Sequence, residues 1–219
     1  MPRMTFLTRL GAMLLMAAAL AVGVAACGDD SSDDSTSSED VKPVAEIPEL
    51  SGVDTSVALD AGFVDALTQL KVAPGVVGDA ELKGTDVSFP ITGGDVTYYD
   101  PAESVRPYVQ GVINHEGSGL SLTAGDTEVE LTDFVIDPGT STLTGTVSVN
   151  GKEAATDALL FDLDGSTLEP LISNNDGSAT LTGTTVLLSD DAAALLNDTF
   201  KIDALKGGLE IGISTITVK

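Results

Sequence analysis

Residues 128–151 read EVELTDFVIDPGTSTLTGTVSVNG, and this stretch sets the fold class. Apolar and polar side chains alternate through Val129 and Leu131, then again through Phe134 and Ile136. Period-two alternation is the mark of a half-buried strand. The phase changes at Asp133, as it does when one extra residue bulges from a strand. Asp137-Pro138-Gly139 then reads as a turn, and Leu143, Gly145, Val147 and Val149 share one face of a second strand. Asn150-Gly151 follows, a dipeptide suited to the positive φ angles of a tight hairpin turn.

The same grammar extends both ways. Runs rich in Val, Thr, Ile and Leu occur at 87–91, 96–99, 108–115, 120–123, 159–163, 179–188 and 209–218. Gly, Asp, Asn or Pro separates them. Such short spacings leave no room for crossover helices, so an antiparallel sheet is expected. The predicted class is mainly β, an antiparallel sandwich or flattened barrel with two short helices. Asp60 is placed to cap the first helix, which runs to about Lys71 before Pro74-Gly75. Ser189 caps the second, which runs to about Phe200, with Asp190 and Asp191 in its first turn. Thr55–Asp60 and Thr184–Ser189 are similar in sequence, so the strand-cap-helix units form either a distant internal repeat or two instances of a common motif.

Upstream of this domain the chain changes character. Arg3 and Arg9 precede an uncharged apolar run from Leu10 to Val24, then Ala25-Ala26 and Cys27, the only cysteine of the 219 residues. The run is short for a membrane-spanning helix, which needs about 20 residues. It reads instead as a cleaved leader. The pattern resembles a bacterial lipoprotein signal, which implies lipidation of Cys27 and an extracytoplasmic, membrane-anchored protein. Two acyl chains suffice for stable attachment. Residues 28–40 contain only Gly, Asp, Ser, Thr and Glu and cannot bury apolar surface. The expected division is a signal peptide over 1–26, an acidic tether over 27–49 and one β-rich domain over 50–219.

Acidic residues number 34 against 10 basic. Removing Arg3 and Arg9 with the leader leaves 8 against 34, a formal charge of −26. This excludes nucleic acid as a natural partner, because phosphate neutralisation needs a basic face. It also opposes direct adhesion to anionic lipid.

Chemistry-bearing residues are few. His115 is the only histidine. It reads either as a structural residue near a strand end or as a ligand offering a neutral ring nitrogen. Tyr98, Tyr99 and Tyr108 read as half-buried strand residues or as phenolate ligands. On a regular strand Tyr98 and Tyr99 point to opposite faces. Asp162-Leu163-Asp164-Gly165 begins like a calcium loop, but Ser173 stands where a glutamate is needed, so a turn is expected. Gly117-Ser118-Gly119 lacks the glycine spacing of a nucleophile elbow. No phosphate-binding loop, Cys-x-x-Cys pair or His-Glu-x-x-His helix occurs.

Val57–Asp60, Val87–Gly94, Leu120–Gly125 and Ala192–Asn197 resemble segments of uncharacterised secreted bacterial proteins. The stretch Gly111–Gly117, followed by Leu120 and Leu122, is similar to HtaA-type heme-binding domains of surface iron acquisition. There a glycine-flanked histidine assists a tyrosine that ligates heme iron. Only His115 is matched, and the family's tyrosine-bearing segment and tryptophan have no counterpart. The expected role is therefore a non-catalytic binding or structural module, with no cofactor required by the residues themselves. Its partners would be the membrane, through Cys27, and an extracellular ligand or surface protein. A heme-uptake accessory is the alternative, and a carboxylate-based hydrolase the third.

Overall fold

A computed structural model describes residues 41–219. The leader, Cys27 and most of the acidic tether lie outside the described residues. Thirteen strands form one antiparallel sheet, curled into a half-barrel, with two short helices. The strands are β1 (Ala45–Ile47), β2 (Val53–Leu59), β3 (Ala73–Gly78), β4 (Glu81–Lys83), β5 (Asp86–Pro90), β6 (Gly93–Tyr98), β7 (Val109–Ala124), β8 (Thr127–Asp137), β9 (Thr142–Val149), β10 (Lys152–Asp164), β11 (Ile172–Ser173), β12 (Ala179–Leu188) and β13 (Glu210–Val218). The helices are α1 (Ala61–Leu70) and α2 (Asp190–Phe200). Of the two expected architectures, the chain takes the curled sheet.

The curl follows from connectivity. The strand order is β1-β6-β7-β8-β9-β10-β12-β13-β2-β5-β4, with β3 beside β7 and β11 beside β12. β5 and β6 thus lie near opposite ends of the path, yet only Ile91 and Thr92 separate them in the chain. A flat sheet could not satisfy both conditions. Ile91 N–H donates to Val53 O at 3.2 Å, and Thr92 N–H to Asn114 O at 2.8 Å, so this link ties the two sides together.

Bulges bend the central strands. Pairing shifts between His115 and Gly119 in β7, between Thr132 and Val135 in β8, and between Leu159 and Phe161 in β10. The sequence splits β7 into two runs at Glu116-Gly117, but the strand continues through a bulge. Asp133 has φ 54°, and its carboxylate accepts the Gly117 N–H at 2.9 Å. One bulge therefore holds the next. Gly145 lies at the same level of β9, where an added Cβ would sit 2.7 Å from Thr132 O and 2.9 Å from Leu160 Cδ1. The hairpin at Asn150-Gly151 forms as expected, with both residues at positive φ.

The helices also form where their caps predict. Asp60 accepts from Gly62 N at 2.7 Å and Phe63 N at 3.1 Å. Ser189 Oγ accepts from Ala192 N at 3.0 Å and donates to Leu159 O at 2.8 Å. Each helix ends on a lysine in the left-handed conformation, Lys71 or Lys201. Their strands, β2 and β12, flank β13 and run parallel to each other. Both helices therefore leave the sheet at one end. There Leu67, Leu122, Val129, Leu131, Val147, Leu160 and Leu196 are buried in the core.

One boundary differs from expectation. Ala45–Ile47, placed within the tether by sequence, pairs with β6 through Ala45↔Tyr98 and Ile47↔Val96. The apolar Ala45 and Ile47 face inward while Glu46 is exposed, a strand pattern too short to stand out beside two prolines.

Candidate functional site

Toward the other end the half-barrel is hollow. A cavity of about 240 Å³ runs through its interior. Its walls come from most of the sheet: Ala45 and Ile47 of β1, Val57 of β2, Phe89 of β5, Ile113 of β7, Ile136 of β8, Phe161 of β10 and Ile216 of β13. The bulges fall close to this division, with Leu120, just past the β7 bulge, still in the lining. Ile113, Phe134, Ile136 and Phe161, on one side of them, line the cavity. Leu122, Val129, Leu131 and Val147, on the other, are buried beside the helices and do not, although Leu131 borders a second, smaller cavity of about 50 Å³ with Leu160 and Leu196.

Phe134 is central to the cavity wall. Its ring meets Phe89 edge-on at 5.2 Å and Phe161 at 6.4 Å between centroids. Phe89 meets the His115 ring at 6.4 Å. Such edge-to-face pairs add roughly 0.5–1.5 kcal/mol beyond their burial.

His115 is 1% exposed, and burial pushes its pKa down to about 4. It is neutral at physiological pH. Nδ1 lies 3.4 Å from Phe134 O, which can only accept, so Nδ1 carries the proton. Nε2 then accepts the hydroxyl of Thr55 at 2.9 Å. This bond joins β7 to β2 across the interior. Both ring nitrogens are engaged, and the lone pair that would ligate a metal is held by Thr55.

Tyr98 and Tyr108 line the same cavity as His115, whereas Tyr99 does not. The two lining rings meet edge-on with centroids 5.9 Å apart. Burial raises the Tyr108 pKa, Tyr98 adds to the shift, and Arg106 opposes it. Of the four ligand candidates the structure brings Tyr98 and Tyr108 together and places His115 farther along the same cavity, six residues up β7 from the Val109 that faces Tyr98. Thr55 was not singled out by sequence, and neither were the three phenylalanines.

No charged residue lines the cavity. Among the described residues, no group of three or more His, Cys, Asp or Glu could hold a metal ion. The 162–165 segment, expected as a turn, instead ends β10: Asp162–Asp164 pair with β12, the turn follows at 166–167, and Asp164 accepts the Ser166 N–H at 2.8 Å. Asp176 closes another turn by accepting from Ser178 N and Oγ at 3.0 and 2.7 Å. Among the described residues, no buried side-chain nitrogen or oxygen lacks a hydrogen-bond partner.

The fold has a counterpart among solved structures. The C-terminal domain of HtaA from Corynebacterium glutamicum superposes with a TM-score of 0.51 at 12% identity, covering 78% of this chain and 97% of that domain. This likeness establishes a shared fold. The heme binding protein HtaB from the same organism gives a TM-score of 0.47 at 11% identity, covering 80% and 96%. No family model and no curated protein sequence matches the chain.

Proposed function

We propose that the domain is a non-catalytic binding module that takes a ligand into the hollow of its curled sheet. The supporting observation is the cavity itself, which draws its walls from strands throughout the half-barrel and includes no carboxylate, lysine or arginine. General acid–base chemistry needs a proton carrier with a pKa near the working pH. The one titratable imidazole there is neutral and bonded on both sides. In this reading, lipid on Cys27 holds the module at the outer face of a membrane.

The test is titration of the full-length chain with N-phenyl-1-naphthylamine, a neutral probe that fluoresces in apolar surroundings. Saturable binding at one probe per chain, reduced by Phe161→Arg, is expected. A signal that grows linearly without saturation overturns the reading.

Heme is the second reading, favoured by the fold shared with the HtaA domain and by two adjoining phenols in the lining of the cavity. Tyrosine oxygen is the available iron donor, because Thr55 occupies the lone pair of His115. A saturable Soret shift with hemin that is lost in Tyr108→Phe or Tyr98→Phe supports it. No shift at tens of micromolar removes it.

A further inference from the structure

The strands have two distinct ends. The connections 99–108, 138–141 and 165–178 lie together at the end away from the helices, because successive antiparallel strands turn there. Pro107, Pro138, Ser141, Leu168 and Leu171 from these connections line the cavity. They form its mouth. The register Ala45↔Tyr98 places the chain's entry into the fold at this same end.

The interior extends well beyond the mouth. Ile211 and Val218 both line it, seven residues apart on β13. At about 3.3 Å per residue this is roughly 23 Å. One leaflet of a bilayer's hydrocarbon core is about 15 Å thick, half of the whole. The hollow is thus long enough for an extended acyl chain, and its apolar walls match one. Inside, Thr55 and His115 are bonded to each other and the other polar lining side chains are uncharged hydroxyls, Thr184 and Ser214 among them, so the interior offers no charge to a headgroup. Recognition of a headgroup would fall to the mouth. The three connections there carry Asp100, Glu103, Glu169 and Asp176 against Arg106 alone. The Arg106 guanidinium is itself bound to the carbonyls of Pro101, Glu103 and Val105. An anionic headgroup would meet net negative charge.

We infer that the ligand is a long-chain lipid with an uncharged headgroup, whose hydrocarbon chain enters tail-first through the mouth. This rests on the binding reading and supplies its ligand class.

The test uses the full-length chain with phosphatidylcholine vesicles containing a diacylglycerol that carries a diazirine at its chain terminus. After illumination, cross-linked residues are located by peptide mass spectrometry. Cross-links are expected deep in the hollow, at Val57, Val87 or Ile211. They should fall about tenfold in Leu168→Glu, which places a charge at the apolar mouth, and persist in Leu82→Glu, on the outer edge. The same probe on phosphatidylglycerol should label about tenfold less, a factor equal to roughly 1.4 kcal/mol. Equal labelling from both lipids, or cross-links confined to the exposed Leu82 and Ile172, overturns the inference. Saturable naphthylamine binding without lipid cross-links removes the lipid and leaves the binding module. Loss of both signals removes both.

Discussion

The His115–Thr55 bond concentrates most of the interior's polar chemistry in one contact. Replacing Thr55 with Val leaves Nε2 buried without a donor, which should cost about 1–3 kcal/mol. Thr55→Ser should recover most of it, and urea unfolding of the three proteins checks both. Acid should act through the same ring. Its folded pKa, about 4, lies below the ordinary 6.5, so the neutral form belongs to the folded state. The resulting stability is complete above about pH 6.5 and is lost as pH falls toward 4. Between pH 7.5 and 4.5 the loss is about 2–3 kcal/mol, which His115→Asn should not show. Carboxylates titrate in both proteins, so the difference between their unfolding free energies isolates the ring. Neither contact partner was legible together in the sequence. Thr55 and His115 are 60 positions apart, and only the closed sheet brings them into reach. His115 alone stood out because it is the sole histidine.

Elements with local signals were readable, and elements that depend on distant pairing were not. Asp60 and Ser189 announce their helices because capping is decided within three residues. Asn150-Gly151 announces its hairpin for the same reason. The phase change at Asp133 marks a real bulge, but its partner at Gly117 lies on another strand, so the shared bend could not be read. Replacing Asp133 with Ala removes the acceptor for Gly117 N–H and should cost about 1–2 kcal/mol. Gly145→Val should cost more, about 1–3 kcal/mol, because the added carbons overpack the space against Thr132 O and Leu160. Thermal unfolding ranks the two. β1 escaped notice because three residues carry little periodicity. Its side chains Ala45 and Ile47 nonetheless wall the cavity. Ile47→Pro removes a main-chain donor that faces β6 opposite Val96 and should weaken naphthylamine binding several-fold, with little change in circular dichroism.

At the scale of the molecule, residues 41–219 carry 28 acidic against 8 basic residues, a formal charge of −20 that acts on the whole fold. Self-repulsion of this kind destabilises a compact state and is screened by salt. Raising ionic strength from about 10 to 150 mM takes the screening length from about 30 to 8 Å. The melting temperature should rise by about 2–4 °C, equivalent to about 1 kcal/mol for a chain of this size. The sole ion pair among the described residues, Lys83 with Glu81, is exposed and offsets little of that repulsion. The sequence conveyed the fold class through strand spacing. It did not convey the hollow, because an inward-facing apolar residue reads alike whether it meets another side chain or empty space.

Ser51 N–H and Oγ donate to Lys219 O at 2.7 and 2.9 Å, and Lys219 N–H donates to Gly52 O at 2.7 Å. Lys219 is thus zipped to the start of the strand network, and residues 51–219 close on themselves as a ring with β1 outside it. A ring has no privileged beginning. Its ends can be spliced and reopened elsewhere, as circular permutation does to domains whose termini meet. A cut at the Gly125-Asp126 turn, far from the mouth, would give a chain of new order and the same hollow.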